Sequence, residues 1–348
     1  MRIRHLTSAS LCALLMVGLL LAMAACVEPA PLDIGAMVQP LEQRGVYRVE
    51  GYSTWGPQVT KGQDGKYYMV HSRWPKTGKW FTHSEIALAV SDTPEGPYTH
   101  HSVLLTGRGE GYWDEAVAHN PKIKFFEGKY YLYYISGKKQ TELTWYRVTQ
   151  KIGVAVADRI TGPYIRVDEP ALSPSPPLYN LAVNPGITRM ADGRYLMIAK
   201  GEISPVAGGE PKPQRIQGMA IADTPVGPFK ILQEPAIRDI DTEDASLWYD
   251  AARQKYFAVF HAHTYIGLIE SDDGINWREA ENYKIIEGNK LQRADGSILA
   301  TKPPFQRPSV YLENGEPRLL GIAIPAAQRT DWHVIIVSLQ FSGKDGLR

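Results

Sequence analysis

The sequence predicts an all-β chain, a five-bladed β-propeller of four-stranded antiparallel blades, and three recurrences predict it. The first is a unit whose clearest copy is AHNPKIKFFEGKYYLYYIS, from Ala118 to Ser136: a polar pair before a proline, a short apolar alternation, a glycine turn and a tyrosine-rich run. Related units start near Trp55, Val183, Glu243 and Gln306, and the aligned Pro57, Pro121, Pro185, Ala245 and Pro308 fall 64, 64, 60 and 63 residues apart. The second is a later apolar run, EIALAVSD, KIGVAVAD, IQGMAIAD and YIGLIESD, ending at Asp92, Asp158, Asp223 and Asp272. The third is the turn that follows it: PEGPY, ITGPY, PVGPF and DGINW. Units that cannot cover both of their own faces stack in series, and a ring of blades closes such a series. A β-sandwich gives no reason for the matching turns.

Taken in order, the chain opens with Arg2, Arg4 and His5, an apolar run from Leu11 to Ala25, and Cys26. That order predicts an export signal over 1–25, too short and wrongly flanked for a spanning helix. MAAC from Met23 resembles the lipobox of bacterial lipoproteins. The resemblance implies an acylated Cys26, a membrane anchor and a place in the bacterial cell envelope, at the periplasm or outer membrane; plain secretion is the alternative. Cys12 and Cys26 are the two cysteines, so no internal disulfide framework is expected. Residues 26–44, with Pro29, Pro31 and Pro40, read as a tether, and 45–348 as the propeller.

In the first blade the sequence predicts strands over 58–61, 66–72, 85–92 and 98–105, the second rich in tyrosine and β-branched residues. Later units repeat this order. The fifth keeps a third strand near Trp332 to Leu339 and then the chain ends, so its fourth strand is expected from 45–50, tying the two ends of the ring together.

The 348 residues are 44% hydrophobic and 22% charged, with a formal net charge of +1 and no long basic run, which excludes the electrostatic footprint of a nucleic-acid binder. In a propeller the first strand of each unit lines the channel and the second runs back antiparallel to it. One rim therefore collects Trp55 and Gly56, His119 and Asn120, Val183 and Asn184, Glu243 and Asp244, and Gln306 and Arg307. Ends of second strands add Arg73, Lys200, Glu202, His261 and His263, and a connection adds Asp114.

A proline-locked strand start behind a polar residue resembles the five-bladed propeller glycoside hydrolases of family 43 and its relatives in families 32, 62 and 117. The resemblance runs from about Trp55 onward and implies three acidic groups on the rim. By position it makes Glu243 the general acid. It departs at Gly56, where family 43 usually has aspartate, and at Asn184, which stands in place of an acid. Glycoside hydrolysis needs a proton donor and a second carboxylate. Glu243 and Asp244 are adjacent, so on a regular strand they face opposite ways. Asp114 is then the nearest candidate base, and Asp244 is expected to hold substrate or to raise the acid's pKa by like charge. An ion pair between Glu243 and Arg307 is the structural alternative.

His261 and His263 alternate on one strand, but no third ligand has suitable spacing, so no catalytic metal is expected. They serve instead as sugar-binding donors, as packing between blades, or, as family 117 implies, one as the acid. His119, Asn120 and Asn184 suit sugar hydroxyls. Lys200 and Arg307 suit a carboxylate or sulfate on an acidic sugar, or internal ion pairs. Trp55, Trp74, Trp80, Trp113 and Trp145 offer faces for pyranose rings, or packing. No cofactor is called for, although a structural calcium is compatible with the reading. The expected activity is an exported glycosidase acting on plant or algal oligosaccharides. The alternatives are a glycoside phosphorylase resembling family 130 and a non-catalytic glycan-binding lipoprotein.

Overall fold

A computed structural model describes residues 29–204, 213–325 and 332–340, so the expected export signal and Cys26 lie outside the described residues. Its strands form five four-stranded antiparallel sheets. A two-residue strand β1 (Val46–Tyr47) comes first. Blade 1 follows as β2 (Tyr52–Lys61), β3 (Tyr67–Pro75), β4 (Glu85–Ser91) and β5 (Thr99–Leu105). Blade 2 is β6 (His119–Phe126), β7 (Lys129–Ser136), β8 (Lys151–Ala157) and β9 (Ile165–Arg166). Blade 3 is β10 (Tyr179–Arg189), β11 (Tyr195–Glu202), β12 (Arg215–Ala222) and β13 (Lys230–Ile231). Blade 4 is β14 (Glu243–Asp250), β15 (Lys255–His261), β16 (Tyr265–Ser271) and β17 (Arg278–Glu287). A small hairpin, β18 (Lys290–Gln292) and β19 (Ile298–Ala300), precedes blade 5, which is β20 (Gln306–Glu313), β21 (Glu316–Ile324) and β22 (His333–Ser338).

The expected closure is present: β1 pairs antiparallel with β22, Val46 opposite Ile335 and Tyr47 opposite Val334. The core lies between blades. One apolar cluster fills each of the five seams, such as Val70, Leu88 and Leu132 between blades 1 and 2, or Met69, Leu319 and Val334 between blades 5 and 1. This explains the near-continuous apolar third strands, since a strand buried on both faces cannot alternate.

The boundary of the tether differs from expectation. Residues from Leu32 onward belong to the compact body: Leu32, Ile34, Met37 and Leu41 are buried in the seam of blades 4 and 5, and Gln39 N donates to Ser338 O at 3.0 Å. Pro29, Pro31 and Pro40 signal an irregular backbone, but the apolar residues among them are enough to fasten the segment.

Candidate active site

The five inner strands share one irregularity. In each, the ladder to the second strand slips at the repeat's signature: between Trp55 and Gln58, His119 and Lys122, Val183 and Gly186, Glu243 and Ser246, and Gln306 and Ser309. The residue before the aligned proline or alanine is left-handed every time, with φ of 65° at Gly56, 51° at Asn120, 57° at Asn184, 72° at Asp244 and 53° at Arg307. Glycine, asparagine and aspartate tolerate that backbone; arginine adopts it against its own sterics. Proline follows cheaply, because the inner strand is a sheet edge and loses no ladder bond there.

A bulge re-aims its side chain, and here the re-aimed groups meet around the channel mouth. Asn120 Nδ2 donates to Asn184 Oδ1 at 2.6 Å, and Asn184 Nδ2 to Asp244 Oδ1 at 2.7 Å. Arg307 Nη1 donates to Asp244 Oδ1 at 3.0 Å, and its backbone N to Oδ2 at 3.2 Å. Gly56 leaves room for the arginine: a Cβ there would lie 3.3 Å from Arg307 Nε. The position at which the resemblance would place an aspartate is thus covered by a guanidinium.

The bulge also overturns the expectation that Glu243 and Asp244 diverge. Asn184 Nδ2 reaches both, with Glu243 Oε2 at 3.3 Å, so the two carboxylates share one rim. Lys200 Nζ pairs with Glu243 Oε2 at 2.5 Å, and Arg215 Nη1 pairs with Oε1. Arg307, the expected alternative partner of Glu243, is taken by Asp244. Burial pushes the Glu243 carboxyl up, but Lys200 and then Arg215 outweigh it and leave the pKa below the usual glutamate value. For Asp244 burial is likewise outweighed, by Arg307 and His261, and its pKa lies well below the carboxylate range. Like charge therefore does not make Glu243 a proton reservoir; the site holds it ionised.

A cavity of about 710 Å³ opens here. One wall is aromatic: Trp55, Trp74, Trp80 and Trp332, with Trp332 edge-on to Trp55 at 4.7 Å. Trp80 is carried by a four-residue helix (Trp80–His83), whose Phe81 packs on Tyr146 of a second short helix (Leu143–Arg147) at 5.9 Å. His119 lies under that wall, stacked on Trp80 at 4.7 Å with Nδ1 2.7 Å from Ser84 Oγ. Burial, followed by the charge of Arg307, pushes its pKa down to about 3, so the ring is neutral. The opposite wall is charged: Glu202, Arg215, Asp241, Glu243, Asp244 and Lys200.

Of the residues expected at the rim, Trp55, His119, Asn120, Val183, Asn184, Lys200, Glu202, Glu243, Asp244, Gln306 and Arg307 line this cavity. Asp114 does not. It is fully buried, held by Arg108 Nε at 2.7 Å, Tyr134 Oη at 2.6 Å and Arg166 Nε at 3.4 Å, so it cannot serve as base. His261 is buried behind the rim with Nδ1 3.1 Å from Asp244 Oδ2. His263 is exposed beyond the strand end, with Nε2 2.8 Å from Asp241 Oδ2. The two histidines thus separate rather than converge. Trp113 packs on Tyr134, and Trp145 is exposed outside the cavity.

Arg215 and Asp241 were missed. Arg215 Nε and Nη2 donate to the two Asp241 oxygens at 2.7 and 2.9 Å, a bidentate pair. Arg215 starts a third strand, and starts of third strands share the rim with ends of second strands, so the same geometric rule reaches it. Burial opposes ionisation of Asp241, but Arg215 and His263 outweigh it and hold the carboxyl well below its usual range. Among the described residues, every cavity cation has an acid partner: Arg147 with Glu202 at 3.0 Å, Lys200 with Glu243, Arg215 with Asp241 and Glu243, Arg307 with Asp244. The charge expected to meet an acidic sugar is spent internally.

Among the described residues, Glu243, Asp244 and His261 bring metal-ligating atoms within 4.8 Å of one another. Their oxygens are already engaged by Lys200, Arg215, Arg307 and Asn184, so a divalent cation would face three positive side chains. The cluster does not fit calcium or zinc.

No protein-family model and no curated protein matches the chain. Among solved structures it is similar to one described only as a glycoside hydrolase, with TM-score 0.65, 15% identity and coverage of 90% of this chain and 94% of that one. It is similar to a family 117 glycoside hydrolase of the marine bacterium Zobellia galactanivorans, with TM-score 0.63, 16% identity and coverage of 88% and 91%. It is also similar to a family 43 β-xylosidase/α-arabinofuranosidase from a compost metagenome, solved with xylotriose, with TM-score 0.56, 18% identity and coverage of 89% and 96%. The five-bladed propeller of families 43 and 117 is thus the fold of this chain.

Proposed function

We propose that the chain is a glycosidase acting on neutral oligosaccharides of plant or algal origin. The observation that carries the reading is a cavity with four indoles on one wall and an ionised carboxylate pair on the other. Flat aromatic faces take the apolar face of a pyranose, and paired polar groups take its hydroxyls. Internal neutralisation of the charged wall favours an uncharged sugar over a uronic or sulfated one. It also leaves no free cation among the described cavity residues for the phosphate of a phosphorylase.

In this reading Glu243 is the catalytic carboxylate, but with its role changed from that expected. Lys200 and Arg215 keep it ionised, which suits activation of water or stabilisation of an oxocarbenium-like transition state. His263 lies outside the cavity lining and holds Asp241, with Nε2 2.8 Å from Asp241 Oδ2, so it positions the Asp241–Arg215 pair behind Glu243 and does not touch substrate. Asn120, Asn184, Asp244 and Arg307 set the floor.

The test is a screen of neutral and acidic oligosaccharides for product release by the wild type and E243Q. E243Q should lower turnover at least about a hundredfold. Near-normal turnover of E243Q removes the assignment. A second reading, a glycan-binding protein without turnover, is favoured by the depressed pKa values of Asp241, Glu243 and Asp244, none of which is a ready proton donor. Calorimetric binding with no product after long incubation would select it. Export and lipid anchoring through Cys26 complete the proposal: radiolabelled palmitate should be incorporated by the wild type and lost in C26S.

A further inference from the structure

The charges of the cavity wall are paired, whereas those in the channel beneath its floor are not. Lys122 and Lys124 both project from β6, the inner strand of blade 2. Lys124 Nζ crosses to blade 4 and donates to Leu247 O at 3.0 Å. Lys122 is 3% exposed, and its ammonium makes no hydrogen bond or ion pair with any described residue.

The surroundings of Lys122 are electropositive. Burial, then the charges of Arg307 and Lys124, push the Lys122 pKa well below the usual lysine value, and Asp244 is the carboxylate that opposes them. The oxygens of Asp244 are already shared among Arg307, Asn184 and His261. Three cations around one committed carboxylate leave excess positive charge in a buried place, which requires either loss of a proton or a counter-ion.

We propose that a small inorganic anion of the chloride class binds in the channel below the ring of bulged residues, with the Lys122 ammonium as its main donor and the positive field of Arg307 and Lys124 behind it. The anion restores local neutrality without displacing the Arg307–Asp244 pair. The inference does not depend on the proposed activity.

Bromide replaces chloride as the crystallographic probe. Anomalous diffraction from crystals of the wild-type protein soaked in bromide should show a peak at hydrogen-bonding distance from Lys122 Nζ. Thermal unfolding at matched ionic strength should show a midpoint higher by about 2 °C or more in chloride than in gluconate, and K122M should lose that difference. An anomalous map with no peak beside Lys122, or equal midpoints in the two salts for the wild type, overturns the proposal, and water with a neutral amine then occupies the space. If K122M fails to fold, the wild-type bromide map decides the matter alone.

Discussion

Blades 1 and 4 bring the same bulged strand to opposite sides of one cavity, and the contents of the two bulges differ in kind. In blade 1 the bulged pair is Trp55 and Gly56: the indole enters the aromatic wall, with Nε1 donating to Asn120 Oδ1 at 2.9 Å, and the glycine makes room for Arg307. In blade 4 the pair is Glu243 and Asp244, both ionised and both held by cations from other blades. The backbone repeats while the chemistry does not. A ligand fitting between them needs a flat apolar face on one side and hydrogen-bonding groups on the other, which describes a sugar ring better than a charged cofactor.

The comparison can be broken most strongly on the charged side. R307M removes the guanidinium that both neutralises Asp244 and covers Gly56, and should destabilise the fold by roughly 3–5 kcal/mol, the usual cost of stranding a buried charge. Chemical denaturation reads this directly, and a loss under 1 kcal/mol would mean that the pair behaves like an exposed one. On the aromatic side, W80A should leave stability closer to the wild type but weaken oligosaccharide binding about tenfold, near 1.4 kcal/mol. Unchanged affinity in calorimetry would remove Trp80 from the binding surface.

The smallest effect is in pH. Asp241, Glu243 and Asp244 have folded pKa values below their unfolded ones, so their contribution to stability is complete above about 4.3 and is lost as pH falls through the lower folded values. Thermal midpoints should therefore fall on acidification below about pH 4. W80A should retain this dependence and R307M should lose part of it; equal dependence in both variants would detach the acid limb from the charged wall.

Much of this was readable in the sequence. The five units, the third strands, the closure by 45–50 and most cavity residues follow from local pattern plus the rule that inner strand starts share a rim. The bulge was present too, as the series Gly56, Asn120, Asn184 and Asp244, which are the residue types that accept positive φ. It is hidden because the residue types that accept positive φ are also ordinary polar rim groups, and regular strand alternation puts Glu243 and Asp244 on opposite faces. What could not be read is partner choice. Whether Glu243 pairs with Arg307 or with Lys200 and Arg215 depends on distances across the ring, and Asp114 resembles a rim acid until Arg108, Arg166 and Tyr134 are seen to enclose it.

The pairing of β1 with β22 has a consequence for biosynthesis. The strand that completes the last blade is among the first parts of the body to be made, so it must wait, unpaired, until nearly all of the chain has emerged. Blades 1 to 4 can each form as their own residues appear, but the ring locks late, through pairing between residues near the two ends of the described chain. Such long-range pairing is slow, so the newly made protein passes through an open, horseshoe-like stage whose exposed seam between blades 5 and 1 is where chaperones or proteases would act.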